Sequence, residues 1–167
     1  MLYSLPLKTL AACDGRYPTA AEEDAVAAWA ASVPKRMQAA NLLAQKEPQI
    51  VREAIEFMKP RYPRFGALHE RAYEKGERDL GLCLRYAVQG MIAADPEMPR
   101  DKLFVWYGTI IRGLGLTPGY TRESCQAVYD ACSRQLPADL FAVAEPYLKR
   151  MVDDIATFPE PMKPAVD

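Results

Sequence analysis

Apolar residues recur along this chain at three- and four-residue intervals, in blocks separated by proline, and the pattern predicts helices throughout. Thr19 and Glu22 form a capping box, and Val26, Trp29, Ala30 and Val33 follow at helical spacing. Pro34 suits the first turn of a second helix carrying Met37, Leu42 and Leu43. Pro48 is expected to open a third, with Ile50, Val51, Ile55 and Met58, which Lys59-Pro60 and Tyr62-Pro63 stop. A long helix is predicted from about Leu68 to Ala94, with an inner stripe of Leu80, Cys83, Leu84, Ala87, Val88, Met91 and Ile92. Asp95-Pro96-Glu97-Met98-Pro99 ends it. Asp101 to Leu114 forms another block, its apolar side carrying Leu103, Phe104, Tyr107, Ile110 and Ile111, and Gly113 and Gly115 loosen its end. After a Thr117-Pro118-Gly119 turn, Thr121 is expected to cap a helix bearing Cys125, Val128, Tyr129 and Cys132. Pro137 starts the last helix, with Leu140, Val143, Ala144, Leu148, Met151, Val152 and Ile155, and Pro146 is expected to kink it or end its first part. The Pro-rich end from Phe158 reads as a flexible tail. No alternating run lasts beyond four or five positions, so the fold class is all-α.

Composition narrows the function classes. The 167 residues suit one domain with a real core, half of them are hydrophobic, and the formal net charge is −1. That balance argues against nucleic acid as the main partner, which needs a basic face. No segment reads as a spanning helix or a signal peptide, so a cytoplasmic, membrane-free protein is expected. Cys13, Cys83, Cys125 and Cys132 include no CxxC pair, and His69 is the sole imidazole. This excludes zinc sites of the usual spacing and a disulfide scaffold, and predicts reduced, mostly buried thiols. No Ser-His-Asp or Cys-His arrangement, phosphate loop or HExxH motif is evident, so neither catalysis nor a bound metal is expected.

The most informative stretch is Tyr73-Glu74-Lys75-Gly76-Glu77-Arg78-Asp79-Leu80-Gly81-Leu82-Cys83-Leu84-Arg85-Tyr86. It resembles the chromophore-carrying helix of the phycobiliproteins, the bilin-binding members of the globin superfamily. There the run is Lys-Cys-Ala-Arg-Asp followed shortly by Leu-Arg. Arg78 and Asp79 stand in register with it, and Gly76 stands where the family has its cysteine. Three further runs resemble family turns: Asp14 to Glu22, Tyr62-Pro63, and Leu114-Gly115-Leu116-Thr117-Pro118-Gly119. The similarity runs from about Leu7 to Ile155. It implies a globin-like fold of the phycobiliprotein type over residues 1–157: an N-terminal two-helix extension (1–33), a globin core (34–157), then a tail (158–167).

The resemblance also implies a ligand, a linear tetrapyrrole of the biliverdin or phycocyanobilin type. In the family the cysteine forms a thioether to the bilin, the aspartate accepts from pyrrole N–H groups and the arginine pairs with a propionate. Asp79 takes the first recognition role by position, and Arg78 and Arg85 are candidates for the second. Gly76, Asp79 and Cys83 fall within about 60° on a helical wheel, so Gly76 is expected to leave open space beside Asp79. Cys83 is an alternative thioether candidate or a core thiol. Tyr86, Tyr107, Trp106 and Tyr73 are candidate pocket walls or simple filling. Other readings stand beside these. Asp79 also suits an ion pair with Lys75 or another flanking charge, and Arg71, Arg78 and Arg85, repeating every seven residues, also suit a solvated face. Gly76 costs about 1 kcal/mol in a helix interior relative to Ala, which suggests close approach of a ligand or a neighbouring helix.

Without the anchor, the chain is most similar to the globins associated with bilin biosynthesis. That implies noncovalent binding of a bilin by a carrier, chaperone or accessory protein, with haem oxygenase or a bilin reductase as candidate partners. The apolar positions Leu2, Leu5, Leu7, Leu10, Val26, Trp29 and Val33 are expected to make a homodimer interface, as the family's equivalent helices do. A haem-binding globin using His69, as sensor or haem donor, is the first alternative, although the Phe104–Ile111 block has no histidine where a globin's proximal ligand sits. A cofactor-free interaction protein with a closed pocket is the second.

Overall fold

The computed structural model describes residues 5–161, with side chains from residue 8 onward, and all regular structure among them is helical. The elements are α1 (Leu5–Ala11), α2 (Ala20–Met58), α3 (Pro63–Ala67), α4 (Ala72–Ala93), α5 (Glu97–Pro99), a π-helical turn (Arg100–Phe104), α6 (Val105–Gly113), α7 (Pro118–Gln135) and α8 (Ala138–Ile155). None of these helices is long and apolar enough to cross a membrane.

The largest departure from the expected pattern is α2, a single 39-residue helix where three were predicted. Pro34 and Pro48 both lie inside it. Each proline frees the carbonyl one turn back, and those carbonyls belong to Ala30 and Ala44. All four residues are exposed, so water satisfies the freed groups while the buried flank continues unbroken. Pro146 is accommodated in α8 in the same way, exposed and one turn after exposed Ala142. The expected boundary between extension and core at residues 33 and 34 therefore falls inside a continuous helix.

Helix ends are set by specific caps. Thr19 and Glu22 make the reciprocal capping box at the start of α2. The long helix α4 begins at Ala72 rather than Leu68, because α3 and a turn through His69 intervene. The cap of α7 is Thr117, whose side chain accepts from the Tyr120 N–H at 3.1 Å. Thr121 lies one turn inside, buried, and donates its hydroxyl to the Thr117 carbonyl at 3.0 Å. At the other end of α4, Ala94 adopts a left-handed conformation (φ 53°), and the Asp95 N–H closes back on the Gly90 carbonyl at 2.9 Å.

That end of α4 is also where the N-terminal region is tied down. Arg36 of α2, only 3 % exposed, donates to the Met91 and Ile92 carbonyls and to the Trp29 carbonyl, and its guanidinium lies 5.1 Å from the Trp29 ring centroid. A cation there complements the negative end of the helix dipole. Asp95, buried, accepts from Lys8 of α1 and from the Glu97 N–H that opens α5.

The main core lies between the second half of α2, α4, α7 and α8, where Leu43, Ile50, Leu84, Met91, Val128, Leu148 and Met151 are essentially inaccessible. Small residues, among them Ala39, Ala54, Ala87 and Ala131, are buried in the same cluster and let the helices approach closely. A second, smaller cluster of Met58, Phe65, Ala72, Ile111, Leu116 and Tyr120 sits beside it. By contrast, no residue from Ala20 to Lys35 is buried, so the first half of α2 is an arm. Of the apolar positions expected to form an interface, Val26, Trp29 and Val33 are half-buried and Leu10 is exposed. Leu2 lies outside the described residues, as do the side chains of Leu5 and Leu7. The start of the expected flexible tail is docked: Phe158 packs against Gly108, and Arg112 donates to the Glu160 carbonyl at 3.1 Å. Residues 162–167 of that tail lie outside the described residues.

Candidate functional site

Between the two clusters is a cavity of about 500 Å³, bounded by α3, α4, α6 and α7 with single residues from α2 and α8. That volume lies within the range of about 300–1,000 Å³ typical of small-molecule sites. Its inner wall is apolar: Ile55 from α2, Phe65 from α3, Ile111 from α6, Leu116 and Tyr120 at and after the α6–α7 turn, and Ile155 from α8. Phe65 stacks on Tyr120 with ring centroids 5.2 Å apart, and Tyr62 meets Tyr120 edge-on at 5.0 Å, which fixes these rings. Leu68, Ile110 and Leu114 line the cavity while remaining exposed at 39, 47 and 57 %, so they form its mouth. Lys75, Arg78 and His69 add polar and cationic groups to the same lining.

Five of the candidate bilin-site residues meet here, Gly76, Arg78, Asp79, Cys83 and Tyr107, together with His69. The Asp79 side chain is 29 % exposed. Its Oδ1 accepts from Arg78 at both Nε (2.8 Å) and Nη2 (2.7 Å), so its ion-pair partner is its neighbour rather than Lys75. Arg78 is 70 % exposed at the rim. Such a pair, half in solvent, is weak and readily re-formed with another partner.

Gly76 lines the cavity, but its missing side chain does not leave the expected gap. A Cβ there would lie 3.0 Å from Ile55 Cδ1 and 3.4 Å from Phe65 Cζ, so helix packing already occupies that direction. Open space does lie beside Asp79, in the cavity that both residues line, but the absence of a Gly76 side chain is not what creates it.

Cys83 is 1 % exposed. Burial first, then the neighbouring Cys125 and Asp79, push its thiol well above the ordinary range. Since the thiolate is the nucleophile, Cys83 is poorly suited to forming a thioether. Cys125, also in the wall, is pushed up to about 12 by burial. Tyr107 is half-buried, and burial, Cys83 and Asp79 raise its phenol, so it stays a protonated donor.

The remaining candidates, His69 apart, lie elsewhere. Arg85 is exposed and donates to Glu47 of α2, with Nε 2.9 Å from Oε2. An α2–α4 surface pair holds it away from the cavity. Tyr86 packs against the main core. Trp106 is 47 % exposed, with its Nε1 bonded to the Lys102 carbonyl at 2.6 Å. Tyr73 packs edge-on against Phe65 at 5.7 Å, behind the wall rather than in it. His69 sits at the mouth, where its Nδ1 accepts from the Arg71 N–H at 2.9 Å.

The sequence reading missed Ile55, Phe65, Leu68, Ile111, Leu116, Tyr120 and Ile155, whose spacing is indistinguishable from that of ordinary core residues. Thr121 and Ser124 did carry a signal. They are polar residues next to Cys125 on the inner side of α7, buried to 5 and 4 % exposure, with hydroxyls donated to the carbonyls one turn back. Among the described residues, no three His, Cys, Asp or Glu side chains converge as a metal site requires.

The cavity suits a flat, largely apolar, conjugated ligand with internal N–H groups and peripheral carboxylates. It offers a carboxylate acceptor in the wall, cations at the rim, and aromatic rings alongside. No curated protein matches the chain in sequence. The model of the phycobilisome protein family matches residues 10–155, the same span that carries the four helices around the cavity. With its all-helical architecture, the chain is a phycobiliprotein-like globin, a member of the phycobilisome protein family.

Proposed function

We propose that the protein binds a linear tetrapyrrole without bonding to it covalently, as a carrier, chaperone or accessory protein of bilin biosynthesis rather than as a light-harvesting subunit. The observation that carries this reading is an apolar cavity with Asp79 in its wall and no cysteine at the family's anchor position. At the family's anchor position stands Gly76, whose Cβ direction Ile55 and Phe65 fill, and burial holds both thiols of the cavity wall, Cys83 and Cys125, protonated. Asp79 would accept from pyrrole N–H groups, and Arg78 and Lys75 would meet propionates. Phe65, Tyr107 and Tyr120 would lie along the ring system. Bound there, the conjugated tetrapyrrole supplies absorption of visible light. The exposed mouth residues Leu68, Ile110 and Leu114 let the ligand come and go without opening the core, as a carrier needs. A haem oxygenase or a bilin reductase is the kind of partner this role implies, and the role itself is binding rather than catalysis.

Titration of the purified protein with biliverdin or phycocyanobilin is expected to give a shifted, sharpened absorption band. Denaturation is expected to release all the pigment from the polypeptide. Asp79→Asn removes charge-assisted hydrogen bonds and is expected to weaken binding about tenfold or more. The absence of any spectral change with either pigment would overturn the proposal, and pigment retained after denaturation would overturn its noncovalent part.

A further inference from the structure

We infer that the Tyr107 hydroxyl orients the ligand by donating a hydrogen bond to a terminal lactam carbonyl of the tetrapyrrole, an inference that rests on the binding role proposed above. Tyr107 stands on α6, across the cavity from the α4 residues Asp79 and Cys83. No described residue forms a hydrogen bond with its hydroxyl. Two neighbouring hydroxyls differ in this respect: Thr121 donates to the Thr117 carbonyl at 3.0 Å and Ser124 to the Tyr120 carbonyl at 2.8 Å. Both of those protons are committed within α7.

The Tyr107 oxygen is not sealed inside the protein, so water can take up its proton in the free chain and a ligand carbonyl can replace that water. Burial and the neighbouring Asp79, Cys83 and Cys125 keep that proton on the oxygen, so the group acts as a donor over the whole working pH range. The cavity thus holds one carboxylate acceptor on α4 and one phenol donor on α6. A linear tetrapyrrole presents the complement: N–H donors along its inner edge and C=O acceptors on its terminal rings. Fixing both at once allows one orientation and disfavours the flipped one. A ligand held by the carboxylate and apolar walls alone has no such preference.

The test compares wild type, Tyr107→Phe and Tyr129→Phe, each with biliverdin. Tyr129 is the control, because its hydroxyl bonds Glu145 at 2.9 Å on the α7–α8 surface. The ligand-free Tyr107→Phe protein is expected to melt at or above the wild-type temperature, since it loses an unpaired hydroxyl and no protein contact. Its affinity is expected to fall about 3- to 10-fold, the value of one neutral hydrogen bond. The infrared lactam carbonyl band of the bound pigment is expected to move to higher frequency. Tyr129→Phe is expected to match wild type in affinity and carbonyl band. Tyr107→Phe with wild-type affinity and an unmoved band overturns this inference alone. Reduced melting temperature together with an unmoved band also overturns it, by assigning Tyr107 a structural role. A wild-type protein showing no pigment band at all overturns the binding role and this inference together.

Discussion

Two effects oppose each other at Gly76. Replacing a helix-interior glycine by alanine gains about 1 kcal/mol of helix propensity. Here the added Cβ meets Ile55 Cδ1 at 3.0 Å and Phe65 Cζ at 3.4 Å, and Ile55 is 1 % exposed with little room to move. Gly76→Ala alone is therefore expected to be nearly neutral. Ile55→Val removes the methyl group in the way, at a cost of about 0.5–1.5 kcal/mol by itself. The double variant is expected to be more stable than the sum of the two singles by about 0.5–1 kcal/mol, read from urea denaturation. Strict additivity would mean that the two residues do not share this space. The motif Gly76, Arg78, Asp79 was legible in the sequence because it is contiguous. Its packing was not, because Ile55 arrives from α2, and nothing in the spacing of a core isoleucine marks it as the neighbour of a particular glycine.

At the scale of elements, the turn from α4 into α5 shows packing overriding helix propensity. A Cβ on Gly90 would lie 2.6 Å from Pro99 Cγ, 3.0 Å from Pro99 Cδ and 3.1 Å from the Asp95 carbonyl oxygen. Neither a proline ring nor a backbone carbonyl can swing aside, so the clash exceeds the propensity gain. Gly90→Ala is expected to destabilise the protein by about 1–3 kcal/mol, with the loss read from chemical denaturation. Gly113, at the exposed end of α6 with nothing within 4 Å of its Cβ position, is the converse case. Gly113→Ala is expected to stabilise by up to about 1 kcal/mol. Two glycines of similar appearance in the sequence thus take opposite signs from their surroundings. Helix identity was legible for nearly every block, because the apolar period is local. The division of α2 into three was misread, because Pro34 and Pro48 lie on its exposed side, where the freed carbonyls can reach water and the buried flank continues.

For the whole molecule, the arm formed by Ala20–Lys35 is the part that no core holds. Arg36 anchors its base to the carbonyls of α4 and lies against Trp29, Lys35 pairs with Asp139 of α8, and Lys8 brings α1 against the buried Asp95, so the arm is held chiefly at its root. As a further part of the proposed reading, the half-buried stripe Val26, Trp29 and Val33 joins two copies of the chain. Sedimentation velocity is expected to show a dimer, and Val26→Glu is expected to return it to monomer with little change in the intrinsic helix signal. A wild-type chain that sediments as a monomer at all accessible concentrations would remove this proposal while leaving the cavity untouched.

The sequence by itself determined the helical class, the order of family-like turns, the presence of Arg78 and Asp79 in register, and the glycine where an anchoring cysteine stands in the family. All of these are properties of residue identity and local period, which survive without knowing which helix lies against which. The tertiary structure decided the rest. It placed a cavity beside Asp79, filled the space over Gly76 with Ile55 and Phe65, drew Arg85 away to Glu47, and set Tyr107 in the cavity wall. The physical reason is that a void is the small volume left over where large side chains from four helices meet. A shift of one methyl group changes what fits there, and no single stretch of chain encodes that remainder.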